Sequence, residues 1–103
     1  MATADVWLRQ QIEDAIADLS ARIGVEESEI QVARSERVVW RDGSIGCPRP
    51  GMRYTQALVQ GTFIQLVIGQ TTFNYHGGRS RPPRLCQSPA EVLPEDLPSN
   101  PAI

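Results

Sequence analysis

Two cysteines and a single histidine are the residues of this chain best suited to redox, metal or nucleophilic chemistry. Cys47 lies in a segment rich in glycine and proline, and Cys86 follows a basic segment with two prolines. A bridge between them would close about 40 residues and stabilise the fold by roughly 3–4 kcal/mol. Two independent thiols or a redox-sensing pair are the alternatives, because a reducing cytosol disfavours a disulfide.

These residues do not form a recognisable metal or catalytic motif. Cys47, Cys86 and His76 supply three ligands without a C-x-x-C pair, so we expect no zinc site. Cys47 precedes Pro48 and lacks the cationic or helix-terminal surroundings of a reactive thiolate. His76 ends a predicted strand, where bonding to backbone is the ordinary role. Because phosphate-loop, dinucleotide and Ser-His-Asp patterns are also missing, we predict a non-enzymatic protein with no catalytic residue, cofactor or metal.

The segment around Cys47 is unusual, because three glycines and two prolines fall within nine residues. The prolines fix φ and exclude a helix, so residues 41–53 should form an irregular, extended loop. Pre-ordering of such a loop saves about 1–2 kcal/mol per residue when a partner binds. The alternative is a loop that caps the sheet, with two of its side chains in the core (Met52 and Tyr54). The residues that the loop would present to a partner are Arg49, Met52, Arg53, Tyr54 and Gln56.

Charge is segregated along the chain although the net charge is only −2. All ten basic residues are arginines, which codon bias alone could explain, and eight lie in residues 30–86 between acidic ends. This distribution supports a second candidate function, in which an anion or nucleic acid binds the basic middle. The residues proposed for it are Arg79, Arg81 and Arg84, close in sequence to Tyr75 and His76.

Periodicity and breakers predict one helix followed by strands. Apolar residues recur every three or four positions over residues 4–23, as in an amphipathic helix (Leu8, Ile12, Ala15, Ile16, Leu19, Ile23). Residues 30–40 alternate with an interruption at Arg34 and Glu36, which predicts either a strand with a bend or bulge or two short strands in succession. Residues 62–68 predict a central strand covered on both faces, or on one face and by a partner. Gly69 and Gln70 fit a type II′ turn into a strand over 71–76. Residues 77–84 are expected to cross irregularly.

Length and order together predict an α+β fold, with one N-terminal helix on a three- to four-stranded antiparallel sheet. We expect a single domain over residues 1–86 and an acidic, proline-rich flexible tail over 87–103. No stretch is long and apolar enough for a membrane span. Since no signal peptide is visible, we expect a cytoplasmic protein, or an exported one if the natural chain starts differently.

The stretch from Trp40 to Gln56 resembles a signature of small bacterial domains of unknown function, W-x-D-G-S-x-G-C-P-x-P-G-x-x-Y-T-Q. In those domains the signature follows a helix and a strand, and a hairpin and a second cysteine come after it. The resemblance covers about residues 16–86 and implies no activity. A weaker likeness is to cystatins, which share the helix-then-strands order and an inhibitory hairpin of the form Q-x-V-x-G. This chain has one residue more between Gln56 and Val59.

The leading hypothesis is therefore a small domain that binds another protein through the braced loop of residues 41–56, and a protease inhibitor is its sharper form. Anion or nucleic-acid binding by the arginine-rich middle is the alternative.

Overall fold

The computed structural model describes residues 5–97, in which one helix precedes an antiparallel sheet of four strands. The strands follow one another in the sheet in chain order. This arrangement confirms the predicted α+β class. Two short 3₁₀ turns, Glu27–Glu29 and Pro94–Asp96, complete the elements. The helix and strands are α1 (Val6–Ile23), β1 (Gln31–Trp40), β2 (Val59–Ile68), β3 (Thr71–Gly78) and β4 (Arg81–Leu85).

Helix α1 begins and ends at residues suited to those positions. The Asp5 carboxylate accepts the Leu8 backbone N–H at 3.0 Å, and Gly24 ends the helix with a φ of 73°. Its most buried line is Gln11, Ala15 and Leu19, so the helix is turned slightly from the predicted stripe. Ile23, the last member of that stripe, is 42% exposed, which corrects its expected place in the core.

Gln11 is buried although it is polar, because the sheet supplies its hydrogen-bond partners. Its Oε1 accepts the Thr62 hydroxyl at 2.9 Å, and its Nε2 donates to the Arg81 carbonyl at 3.3 Å. Hydrogen bonding removes most of the cost of burying such a group. The apolar core on this face of the sheet joins the helix to β2 and β3 through Ala15, Leu19, Ile30, Ile64, Leu66 and Tyr75.

The strands confirm two local predictions. The register of β1 on β2 shifts between Val32 and Arg34, which is the expected bulge. Ile68 pairs with Thr71 across Gly69, whose φ of 61° fits the first position of a type II′ turn.

Residues 77–84 differ from the irregular crossing that the sequence suggested. Strand β3 continues to Gly78, and residues 81–85 form β4 along its free edge. Pro82 and Pro83 are tolerated there because β4 has a neighbour on one side only, and they also discourage further strand pairing. The two prolines therefore indicate an edge strand rather than an irregular segment.

The second face of the sheet is covered as well, and β2 is buried on both sides as expected. Phe63 and Ile64 point to opposite faces and both are fully buried. The cover consists of residues 41–58, hereafter the Gly/Pro loop, and residues 88–97, hereafter the C-terminal segment. Val92 N–H donates to the Gly46 carbonyl at 2.8 Å, which joins the two. The flexibility expected of residues 87–103 stays a prediction, and residues 98–103 lie outside the described part.

Candidate binding loop

The Gly/Pro loop is tied to the end of β4 by the expected disulfide. Cys47 and Cys86 are bonded, with their Cα atoms 5.7 Å apart. This pairing confirms the predicted bridge over two independent thiols. A second tie is the Ser88 hydroxyl, which donates to the Pro48 carbonyl. The loop is thus held at Cys47 and at Pro48 by residues about 40 positions later in the chain.

Internal hydrogen bonds hold the base of the loop. Gly43 N–H donates to the Thr55 carbonyl at 2.8 Å, which closes the two ends of the loop on each other. The Asp42 carboxylate accepts both the backbone N–H and the hydroxyl of Ser44. Such an Asx-type arrangement replaces regular secondary structure where the chain turns.

The tip of the loop presents its side chains to solvent. Arg49, Arg53 and Gln56 are exposed, and Met52 is 58% exposed, so Met52 does not occupy the core. Tyr54 is half-buried, and its hydroxyl oxygen accepts the Arg49 backbone N–H at 3.0 Å. Tyr54 therefore braces the tip. Of the five predicted binding residues, four are exposed and the fifth supports them.

Leu58 is a surface residue that the sequence pattern did not single out. Its side chain is 66% exposed, immediately before β2 begins. The signal available in the sequence was weak, because an apolar residue next to a strand is ordinarily assigned to the core.

His76 forms the buried floor beneath the loop. Its ring stacks on Trp40 with centroids 4.7 Å apart and meets the edge of Phe63 at 5.4 Å. Nδ1 lies 2.7 Å from the Ile45 carbonyl oxygen, and Nε2 lies 2.6 Å from a Glu91 carboxylate oxygen. The predicted backbone bond is present, and Glu91 is an unforeseen partner because it lies in the predicted tail.

The contact between the loop and His76 involves local backbone strain at Ile45. Ile45 has a φ of 49°, which is uncommon for a β-branched residue. The conformation aims its carbonyl at His76, and fixed surroundings are what allow such strain to persist.

The three arginines of the alternative site lie around one small cleft of about 270 Å³, beside Gly43 and Thr55. A larger groove of about 670 Å³ runs beside the disulfide and brings two of them together with two further arginines. The arginines that line this groove are Arg22, Arg49, Arg81 and Arg84. Arg49 of the first candidate set thus lines the same groove as Arg81 and Arg84 of the second.

Tyr75 does not belong to that basic surface. It is fully buried against the helix, and its hydroxyl donates to Asp18 at 2.6 Å. Burial, and then the bond to Asp18, raises the pKa of Tyr75 well above its ordinary value. Burial would raise the pKa of Asp18, but hydrogen bonds from Tyr75 and Arg22 and the Arg22 charge together lower it. Tyr75 is therefore unable to stack on a nucleobase.

Comparison with known proteins adds one match. Residues 12–86 match the family model described as Domain of unknown function (DUF8738). No curated protein and no solved structure matches the chain. Among the described residues, no helix is long and apolar enough to cross a membrane.

Proposed function

The chain belongs to the family Domain of unknown function (DUF8738), and we propose that it is a non-enzymatic domain that binds another protein through the tip of the Gly/Pro loop. The observation that carries the proposal is a surface loop whose exposed side chains stand on a fixed support. The loop backbone that carries Arg49, Met52 and Arg53 is held by the disulfide and by the hydrogen bonds of Ser88 and Tyr54. Such a loop loses little conformational entropy when a partner binds.

The chemistry of the tip indicates the kind of partner. Arg49 and Arg53 lie on either side of the exposed Met52 in the sequence of the tip. Arginine and methionine are enriched in protein interfaces, where arginine binds carboxylates through paired hydrogen bonds. We therefore infer a protein surface that combines acidic residues with an apolar depression.

Protease inhibition is the sharper form of this proposal. A proline-containing loop held at its ends would resist cleavage, because its cut ends could not separate from the enzyme. Stoichiometric inhibition of a serine or cysteine protease by the intact chain supports this form. Rapid cleavage of the loop by every protease tested contradicts it.

A charge-reversal comparison tests the binding proposal. Arg53→Glu changes the tip, whereas Arg9→Glu makes the same change on the exposed side of the helix. We expect one partner to be retained by the wild-type chain and by Arg9→Glu and to be lost with Arg53→Glu. A partner retained equally by all three chains would overturn the assignment to the tip.

Anion or nucleic-acid binding remains the second candidate, favoured by the four arginines along the groove. Three phosphate contacts to a single strand would give a slope of about −2 for the logarithm of affinity against the logarithm of salt. Fluorescence anisotropy with a single-stranded oligonucleotide measures that slope. Arg84→Glu should abolish the binding and Arg9→Glu should leave it unchanged.

The disulfide also bears on the compartment. Such bridges persist in oxidising surroundings, so the disulfide supports an exported protein over a cytoplasmic one. Thiol alkylation of the chain taken directly from cells would distinguish the two, since a cytoplasmic chain should label at both cysteines.

A further inference from the structure

We propose that reduction of the Cys47–Cys86 disulfide turns the cluster beneath the Gly/Pro loop into a binding site for one thiophilic divalent cation, with Zn²⁺ as the best fit. The ligands are the two cysteine thiolates, His76 Nε2 and a carboxylate oxygen of Glu91. This site is separate from the exposed tip of the loop, and its occupation does not depend on the partner proposed above.

The ligand atoms are already gathered in the bridged form. The candidate donor atoms of His76, Cys86 and Glu91 all lie within 4.8 Å of one another. Because Cys47 Sγ is bonded to Cys86 Sγ, a fourth donor starts next to one of the other three. Two thiolates, an imidazole and a carboxylate make a four-coordinate donor set of the kind that Zn²⁺ takes in proteins.

His76 is oriented for ligation by the contacts around its ring. A carbonyl oxygen can only accept, so Nδ1 carries the proton in the 2.7 Å bond to Ile45, and Nε2 faces the other donors. Histidines that bind metals almost always donate their second nitrogen in this way. Stacking on Trp40 fixes the plane of the ring.

Glu91 is held from behind in the same manner. Asn74 Nδ2 donates to Oε1 at 3.3 Å, which leaves Oε2 directed at His76. Outer contacts of this kind orient a ligating carboxylate and contribute to metal affinity. The site therefore has its supporting hydrogen bonds in place on both the histidine and the carboxylate.

The redox and proton balance is simple. A dithiol reductant supplies two electrons and two protons, becomes a disulfide itself, and leaves Cys47 and Cys86 as thiols. Binding of the cation then releases the two thiol protons and the proton that the 2.6 Å hydrogen bond between His76 Nε2 and Glu91 requires. Three anionic ligands and one neutral imidazole surround the divalent ion.

The consequence is a tie that survives reducing surroundings. The cation would connect the Gly/Pro loop, the end of β4, strand β3 and the C-terminal segment, which hold Cys47, Cys86, His76 and Glu91 respectively. A covalent link between two of these segments is thereby replaced by a metal link among all four.

Co²⁺ serves as the probe, because its absorption spectrum reports both tetrahedral geometry and thiolate ligation. The full chain is reduced with dithiothreitol, freed of the reductant without air, and titrated with Co²⁺. We expect thiolate-to-cobalt and tetrahedral bands that saturate at one equivalent and that Zn²⁺ removes. The oxidised chain should show neither band.

Two carboxylate variants distinguish this site from non-specific binding of Co²⁺ by the free cysteines. Glu91→Gln should weaken Co²⁺ binding at least tenfold, whereas Glu95→Gln, in the same segment and paired with Arg34, should leave it unchanged. The Cys47→Ser, Cys86→Ser double variant should lose the bands altogether.

Several results would overturn the proposal. They are absence of the bands in the reduced chain, equal binding by the oxidised chain, or equal affinity in Glu91→Gln and Glu95→Gln. Circular dichroism measures whether the reduced chain is folded. A reduced chain that is unfolded and does not refold with Co²⁺ also contradicts the proposal.

Discussion

Gly46 occupies a position where no other residue fits. Its φ is 75°, and an added Cβ would lie 2.4 Å from Trp40 Cζ3 and 2.9 Å from His76 Nδ1. The loop backbone therefore passes directly over the stacked rings, which is what brings the Ile45 carbonyl to His76. The signature glycine is needed for contact with the sheet as well as for the turn.

We expect Gly46→Ala to lower the free energy of unfolding by on the order of 3 kcal/mol, because overpacking adds to backbone strain. Gly51→Ala is the matched control, since Gly51 also has a positive φ, 79°, but has open space around its Cβ position. It should lose only about 1 kcal/mol. Urea denaturation measures both, and equal losses would show that strain alone matters.

Tyr54 acts on the tip of the Gly/Pro loop through a single hydrogen bond. We expect Tyr54→Phe to cost only about 0.5–1 kcal/mol, because the freed Arg49 N–H is exposed and can bind water. Amide hydrogen exchange at Arg49 should accelerate. The Gly43 amide, whose partner is Thr55, is the internal control. Equal acceleration at both amides would mean that the whole loop had loosened.

At the scale of elements, the start of α1 is fastened to β1 by charge. Asp5 caps the helix and binds the Arg37 guanidinium, which itself lies over the Trp7 ring at 4.6 Å. The hydrogen bond from Arg37, followed by that from the Leu8 N–H, lowers the pKa of Asp5 to about 2. The carboxylate thus joins two elements that contact each other little elsewhere.

This lowered pKa predicts the pH dependence of stability. An unfolded Asp titrates near 3.8, so the contribution of Asp5 is complete above about pH 4 and disappears as the pH falls through 2. Asp5→Asn keeps a capping oxygen but lacks the charge. The urea midpoints of the two chains should differ at pH 6 and converge between pH 4 and pH 2. A difference that does not change with pH would contradict the role of charge.

The C-terminal segment behaves as a further element of the second face. It supplies Glu91 to His76, Ser88 to Pro48 and Val92 to Gly46. A chain that ends at Gln87 should therefore lose about 2–3 kcal/mol, at roughly 1 kcal/mol for each bond. A chain shortened only by residues 98–103 retains these bonds and serves as the control. A loss below about 0.5 kcal/mol would support the flexible tail expected from composition.

For the whole molecule, the disulfide links the Gly/Pro loop, which covers the second face, to the end of β4. Its sequence separation of 39 predicts roughly 4 kcal/mol of stabilisation from restriction of the unfolded chain. That is a large share of the 5–15 kcal/mol available to an ordinary domain. The bridge therefore has consequences beyond the loop that it braces.

We expect the Cys47→Ser, Cys86→Ser double variant to unfold at lower urea concentration while its far-ultraviolet circular dichroism stays close to wild type in water. Core contacts between the helix and the sheet involve other residues, which is why the fold should persist. Partner binding should fall more than helicity does. An unchanged urea midpoint would show that the C-terminal segment alone holds the loop.

Local patterns in the sequence determined the elements of this protein. The three- and four-residue spacing of α1, the interrupted alternation of β1 and the Gly69 turn depend on neighbours in the chain, and each was predictable from them. Proline-rich β4 was not predictable in this way, because a strand with two prolines is stable only at the edge of a sheet, and its pairing with β3 is a tertiary contact.

For the candidate site too, some features follow from the local sequence and others only from tertiary contacts. Glycine and proline in residues 41–56 limit backbone conformation locally, so a rigid exposed loop and its side chains could be inferred, and the pairing of the two cysteines was foreseeable from their number. Tertiary structure alone decided that Glu91 meets His76 and that Gly46 lies on Trp40. Those contacts join residues that are distant in the chain. They form because the second face of the sheet is apolar and is buried by the Gly/Pro loop and the C-terminal segment.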